Sequence, residues 1–239
     1  MNSEATLSNL LTATFDQIGE HARLVAIFLA VMVPVGTVAL ALDSGGNSEL
    51  FGFDTGLMIT PAIFEQGIVT ATIGLAVFVA GVIMHYWLYA GMVRRSTALS
   101  FSRFLPFVGI YILATIGMVF GFILLVIPGF ILLVRWIAVL PLVLAGDDPA
   151  MDSFGNSWEM TRGRGWSIFG AMVVLLVLLI IAAGIIGGAT YLLGGDGSIG
   201  AMAVESLADH ASAVLFAAFA VGAFRLMHDS SEELTEMFE

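Results

Sequence analysis

PFVGIYILATIGMVFGFILLVIPGFILLVRWIAVLPLVLAG, residues 106–146, holds a single charged side chain, Arg135. A hydrocarbon core about 30 Å thick is crossed by about 20 apolar helical residues, so this run is long enough to cross twice. Ile127-Pro128-Gly129 offers the turn, because Pro removes a backbone donor and Gly relaxes the helix. The stretch therefore reads as two abutting spans, 106–127 and 130–146, rather than one long helix.

The same reading extends outward to spans at 24–42, 68–92, 167–193 and 208–227. The chain has 239 residues, 59% hydrophobic and 11% charged, with a mean hydropathy of +1.01. A soluble domain carries about 25% charged residues, so the missing charge places the chain in the membrane class. The expected fold is all-α: a polytopic membrane helical bundle of about six transmembrane helices, forming a single domain over 1–239. Ala39-Leu40-Ala41 resembles a signal cleavage site, but Glu4, Asp16 and Glu20 lie in the segment before Arg23 and make a poor n-region. The first span is expected to be retained.

Arginine placement orients the spans. Arg23, Arg94, Arg95, Arg103, Arg162, Arg164 and Arg225 all fall on one side of a six-span chain, and there is no Lys. The opposite loops, 43–67 and 194–207, hold no Arg, and the first carries Asp43, Glu49, Asp54 and Glu65. The positive-inside rule puts both termini in the cytoplasm.

Two further segments are amphipathic. Within 1–23, Leu7, Leu10, Leu11, Phe15, Ile18 and Ala22 share a helical face opposite Ser8, Asn9, Thr12, Asp16 and Glu20. Within 147–166, Asp147 or Asp148 can cap a helix whose Met151, Phe154 and Trp158 oppose Asp152, Asn156 and Glu159. Both are expected to lie in the cytoplasmic interface, apolar side towards lipid or the bundle; residues 228–239 form an acidic tail. Arg23 to Ile27-Phe28 aligns without gaps on Arg164 to Ile168-Phe169, a weak sign of a parallel repeat against chance apolar composition.

The net charge of −11 offers no footprint for nucleic acid, and without Cys there is no disulfide framework or thiolate metal site. Residues 195–200 match GxGxxG, but between membrane helices they lack the strand and helix a dinucleotide site needs. Asp148 and Glu159 have EF-hand spacing, but Ser153 stands where that loop needs Gly. The four histidines show no ligand spacing, so no metal and no cofactor is expected, and no catalytic residue is assigned. His85, beside Tyr86, Trp87 and Tyr89, reads either as an intramembrane functional group or as a neutral interfacial His. Arg135, beside Trp136 and about a third of the way in from the outer end, must be paired, hydrated or snorkelling. Glu65, Glu205 and Asp209 are the candidate carboxylates, and a lipid phosphate or anionic solute is the functional alternative. Gly117–Gly121 and Gly184–Gly188 permit close helix packing, within the bundle or in a homodimer.

The segment 127–170, IPGFILLVRWIAVLPLVLAGDDPAMDSFGNSWEMTRGRGWSIFG, resembles the membrane domain of the glycerophosphoryl diester phosphodiesterase family and the YciC-like inner-membrane proteins. The resemblance rests on Pro128-Gly129, Arg135, Pro141, Asp147-Asp148, Ser157-Trp158, Gly163 and Trp166. Ser153-Phe154 departs from the family's usual Ala-Leu. It implies a module of the bacterial inner membrane with a role in envelope or lipid homeostasis. It does not imply hydrolysis, since the soluble catalytic domain fused to some relatives has no counterpart here.

The combined expectation is a non-enzymatic scaffold or lipid-interacting module, with membrane lipids as partners. Arg135, His85 and Trp136 are candidate ligand or lipid contacts. Ser157, Trp158, Arg162, Arg164 and Trp166 are a candidate cytoplasmic interface for a protein partner. The alternative is a transporter or channel for a lipid or small anionic solute.

Overall fold

The computed structural model describes residues 5–43, 68–98, 100–146, 149–192 and 198–238, and these are helical with no strand among them. The helices are α1 Leu7–Glu20, α2 Ala22–Asp43, α3 Ile68–Arg94, α4 Phe104–Leu124 and α5 Val126–Arg135. They continue as α6 Val139–Ala145, α7 Asp152–Met160, α8 Gly165–Leu192 and α9 Ile199–Phe238. Within the described residues, six stretches are long and apolar enough to cross a membrane: Ala22–Ala41, Ala71–Arg94, Phe104–Leu124, Val126–Ala145, Gly165–Gly188 and Ile199–His228. The chain forms two compact units.

The first unit comprises Met1–His21, Tyr89–Leu176 and Phe216–Glu239. Its α4–α5 hairpin turns on one residue, Leu125, whose backbone is extended (φ −161°, ψ 138°). The expected turn at 127–129 is thus displaced towards the N-terminus. Pro128 sits in the first turn of α5, where its missing N–H has no helical carbonyl to lose. Gly129 lies against Phe122, whose ring leaves no room for a Cβ. Gly117 and Gly121 are likewise used inside this unit, against Trp136 and against Gly129 with Leu132.

The second apolar run is not one helix. Helical hydrogen bonding stops at Arg135 and resumes at Val139, with a turn over 136–138. Pro141 accounts for the break: it cannot donate to the Ile137 carbonyl four residues back, and its ring crowds that oxygen. Val139 N–H turns instead to Trp136 O at 3.1 Å.

α1 begins at Thr6, whose hydroxyl accepts from Asn9 N–H. Its buried line is Leu10, Thr14 and Gln17, while Phe15 is exposed. Ala13 packs against Gly222, and Leu7 against Gly170. Thr14 satisfies its hydroxyl on Leu10 O at 2.7 Å.

The second unit comprises Ala22–Leu88 and Val177–Leu215. Phe28, Met32 and Gly36 recur every four residues and so share one face of α2. A Cβ on Gly36 would overlap Ser206 Oγ and lie 2.8 Å from His210 Cε1, so this glycine lets α9 approach closely. Ser206 Oγ donates to Val33 O at 3.0 Å across that contact. α9 starts at Ile199, nine residues before the span expected at 208, because Ser198 caps it by accepting from Ala201 N–H at 3.1 Å. The two stretches that suggested a repeat differ in environment: Ile168 is buried and Ile27 exposed.

Candidate functional site

In the first unit the break in the second apolar run builds a polar site from three successive turns. In an unbroken helix Arg135 O would accept from Val139 N–H; that donor is engaged by Trp136 O. Arg135 O accepts instead from Ser157 Oγ of α7 at 2.7 Å. Thr161, also fully buried, shares its hydroxyl hydrogen between Ser157 O at 2.9 Å and Trp158 O at 3.1 Å. Its oxygen accepts from Arg135 Nη1 at 3.3 Å. The guanidinium carbon lies 5.2 Å from the centroid of the Trp158 ring, a cation–π distance.

α7 is held on the break by Trp136 as well, which meets the Phe154 ring nearly edge-on at 4.9 Å. Past its end, Gly163 adopts φ +78°, a left-handed conformation that side chains with a Cβ disfavour, and α8 follows two residues later. Within the segment 147–166, Phe154 of the expected apolar face meets the broken run. The segment folds back onto the interrupted run and completes its hydrogen bonding. Asp147 and Asp148, its expected caps, lie outside the described residues.

The candidate residues divide accordingly. Arg135 and Trp136 are brought together with Ser157 and Trp158. Ser157 is a correction: it was expected on an exposed interface, yet it is fully buried, because its hydroxyl is needed by Arg135 O. Arg162 is exposed and only 3.9 Å from Glu159, an arrangement worth little in water. Arg164 donates to Met160 O at 3.4 Å, and Trp166 is 87% exposed.

Of the candidate carboxylates for Arg135, Glu205 and Asp209 belong to the second unit. Among the described residues the Arg135 side chain meets the Thr161 hydroxyl and the Trp158 ring and forms no ion pair. Glu65 lies outside the described residues. A guanidinium has five N–H donors, of which the Thr161 hydroxyl takes one.

His85 belongs to the second unit, with a partner that sequence spacing did not reveal. His85 and His210 are 7% and 1% exposed. His85 Nδ1 bonds Gly81 O at 2.9 Å and His210 Nδ1 bonds Ser206 O at 2.7 Å. A carbonyl only accepts, so each Nδ1 carries hydrogen and each neutral ring has its lone pair on Nε2. Neither Nε2 has a hydrogen-bond partner among the described residues. Leaving such an atom unsatisfied costs about 1–3 kcal/mol. Both rings abut Phe28, at centroid distances of 5.4 Å and 6.1 Å.

Nearly all of the hairpin, its broken second arm and α7 lie within a stretch that matches a described family. Residues 106–221 match the membrane domain of glycerophosphoryl diester phosphodiesterase. This membrane-domain segment includes Arg135, Trp136, Ser157, Trp158, Thr161 and His210, and ends well after α8. His85 and Phe28 precede it. With the six apolar stretches, the match makes this chain an integral membrane protein. No curated protein and no solved structure matches the chain.

Thr161, Ser206 and His210 were not singled out from the sequence. Thr161 follows Ser157 by one helical turn and Ser206 precedes His210 by one, so each pair had a local signal. Their partners had none.

Proposed function

We propose that this chain is a non-enzymatic module of the bacterial inner membrane that binds anionic lipid headgroups at Arg135, with both termini in the cytoplasm. The observation that carries the reading is the half-buried Arg135 guanidinium, fixed by Thr161 and Trp158 without a carboxylate among the described residues. A fixed cation beside apolar helices suits a phosphate whose acyl chains remain in the bilayer. The exposed Trp166 and Arg162 favour interfacial depth on the same segment. They also offer a face to a protein partner.

The test is lipid retention. The purified chain is placed in nanodiscs of mixed phosphatidylglycerol and phosphatidylcholine, released, and weighed by native mass spectrometry. Retained phosphatidylglycerol is expected, with a several-fold loss in Arg135→Gln. Equal retention of both lipids, or no change in that variant, would falsify the headgroup reading.

The interrupted run favours one alternative, a transporter or channel for a small anionic solute, since broken helices line many transport sites. Flux of phosphate or glycerophosphate into liposomes containing the chain, abolished by Arg135→Gln, would select it.

A further inference from the structure

The most unusual chemistry outside the Arg135 site is the pair of buried imidazoles in the second unit. We propose that His85 and His210 form an intramembrane binding site for Cu(I), with Met32 as an accessory thioether ligand. The proposal is independent of the lipid reading.

The donor set points to a metal ion. Each Nδ1 is consumed by the carbonyl one turn earlier in its own helix, Gly81 O or Ser206 O. This is the arrangement in which a carbonyl fixes the tautomer and leaves Nε2 as a metal-binding lone pair. The two lone pairs lie on rings that both abut Phe28.

Three features select Cu(I) among metals that take imidazole. Among the described residues no group of three His, Cys, Asp or Glu is clustered for a metal, which leaves Zn(II) short of its usual four ligands. Cu(I) is satisfied with fewer and softer donors. Met32 is fully buried one turn after Phe28 and one turn before Gly36, on the α2 face that meets His210. Its thioether is the soft ligand such an ion prefers. A monovalent ion also carries a smaller desolvation penalty into the bilayer than a divalent one.

The experiment is Cu(I) competition under reducing, anaerobic conditions, using the full chain in nanodiscs and the chromophoric chelator bicinchoninate. About one Cu(I) per chain is expected to resist the chelator, with a loss of about tenfold or more in affinity in His85→Gln and in His210→Gln. Met32→Leu, a volume-conserving change, keeps the packing and is expected to weaken binding less. X-ray absorption on the wild-type copper complex supplies a second readout that does not depend on folded variants: imidazole nitrogen scattering is expected, with one sulfur that Met32→Leu removes. Copper retention no greater than that of the double histidine variant overturns the proposal, as does a spectrum without imidazole. Preferential Zn(II) retention overturns the choice of metal. Rings that titrate reversibly yet hold no metal overturn it in favour of a proton site.

Discussion

The Ser157 hydroxyl donates to the Arg135 carbonyl at 2.7 Å, replacing the helical bond lost when Val139 N–H turns to Trp136 O. A residue on one element thus repairs the backbone of another. The repair fixes both the position of α7 and the direction in which the arginine leaves the interrupted run.

Ser157→Ala removes that donor and leaves a buried carbonyl unsatisfied. A loss of about 1–3 kcal/mol is expected, read as a lower unfolding midpoint in detergent. An unchanged midpoint would mean that the carbonyl finds another donor and that α7 is not held this way.

Pro141→Ala restores a backbone N–H where the helix is interrupted. Amide hydrogen exchange measured by mass spectrometry is expected to slow over 136–141 as the run becomes more continuously helical. Exchange as fast as in the wild type would place the cause of the break elsewhere.

Two glycines should respond in opposite directions. Gly36→Ala forces a Cβ onto Ser206 and His210, and overpacking of this kind costs about 1–3 kcal/mol. Gly155, within α7, has nothing within 4 Å of an added Cβ, so Gly155→Ala should gain about 0.5–1 kcal/mol from helix propensity. Thermal unfolding of the two variants side by side checks both signs.

Arg225 donates to Met92 O at 2.5 Å and to Glu20 Oε2 at 3.4 Å. Met92 O is among the last carbonyls of α3, which have no helical donor. Arg225→Gln is therefore expected to cost about 1–3 kcal/mol. Glu20→Gln, at a half-exposed carboxylate, should cost less than about 1 kcal/mol. Chemical denaturation of both variants tests the order, and a larger loss at Glu20 would reverse the assignment.

The chain has no cysteine, so introduced thiols can report its orientation. Ser231→Cys is expected to react with a membrane-impermeant maleimide only after the cytoplasmic face is opened. Ser48→Cys should react in intact spheroplasts. The opposite pattern would invert the proposed topology.

Where the membrane segments lie was legible because a long apolar run records the thickness of the bilayer directly. The Arg135 site was legible only in part. Pro141 announces a break, but hydropathy is indifferent to whether an apolar run is continuously hydrogen-bonded, so 130–146 reads as one helix. Ser157 looks like a surface residue among polar neighbours because its partner is 22 positions away. His85 and His210 are farther apart still, and no spacing rule connects them. Ser198, by contrast, was an available cap signal, and its use moves the start of the last helix forward.

The single-residue link at Leu125 also bears on how the protein is made. Its α4 and α5 arms offer no hydrophilic stop between them, and Leu125 with its neighbours Leu124 and Val126 is exposed and wholly apolar. Such a hairpin has to enter the bilayer as one piece, its tip bearing neither a charge to anchor it outside nor a loop for a protease to cut. In the proposed orientation its direction is set by Arg103 at its entry, and both arms are committed in a single event.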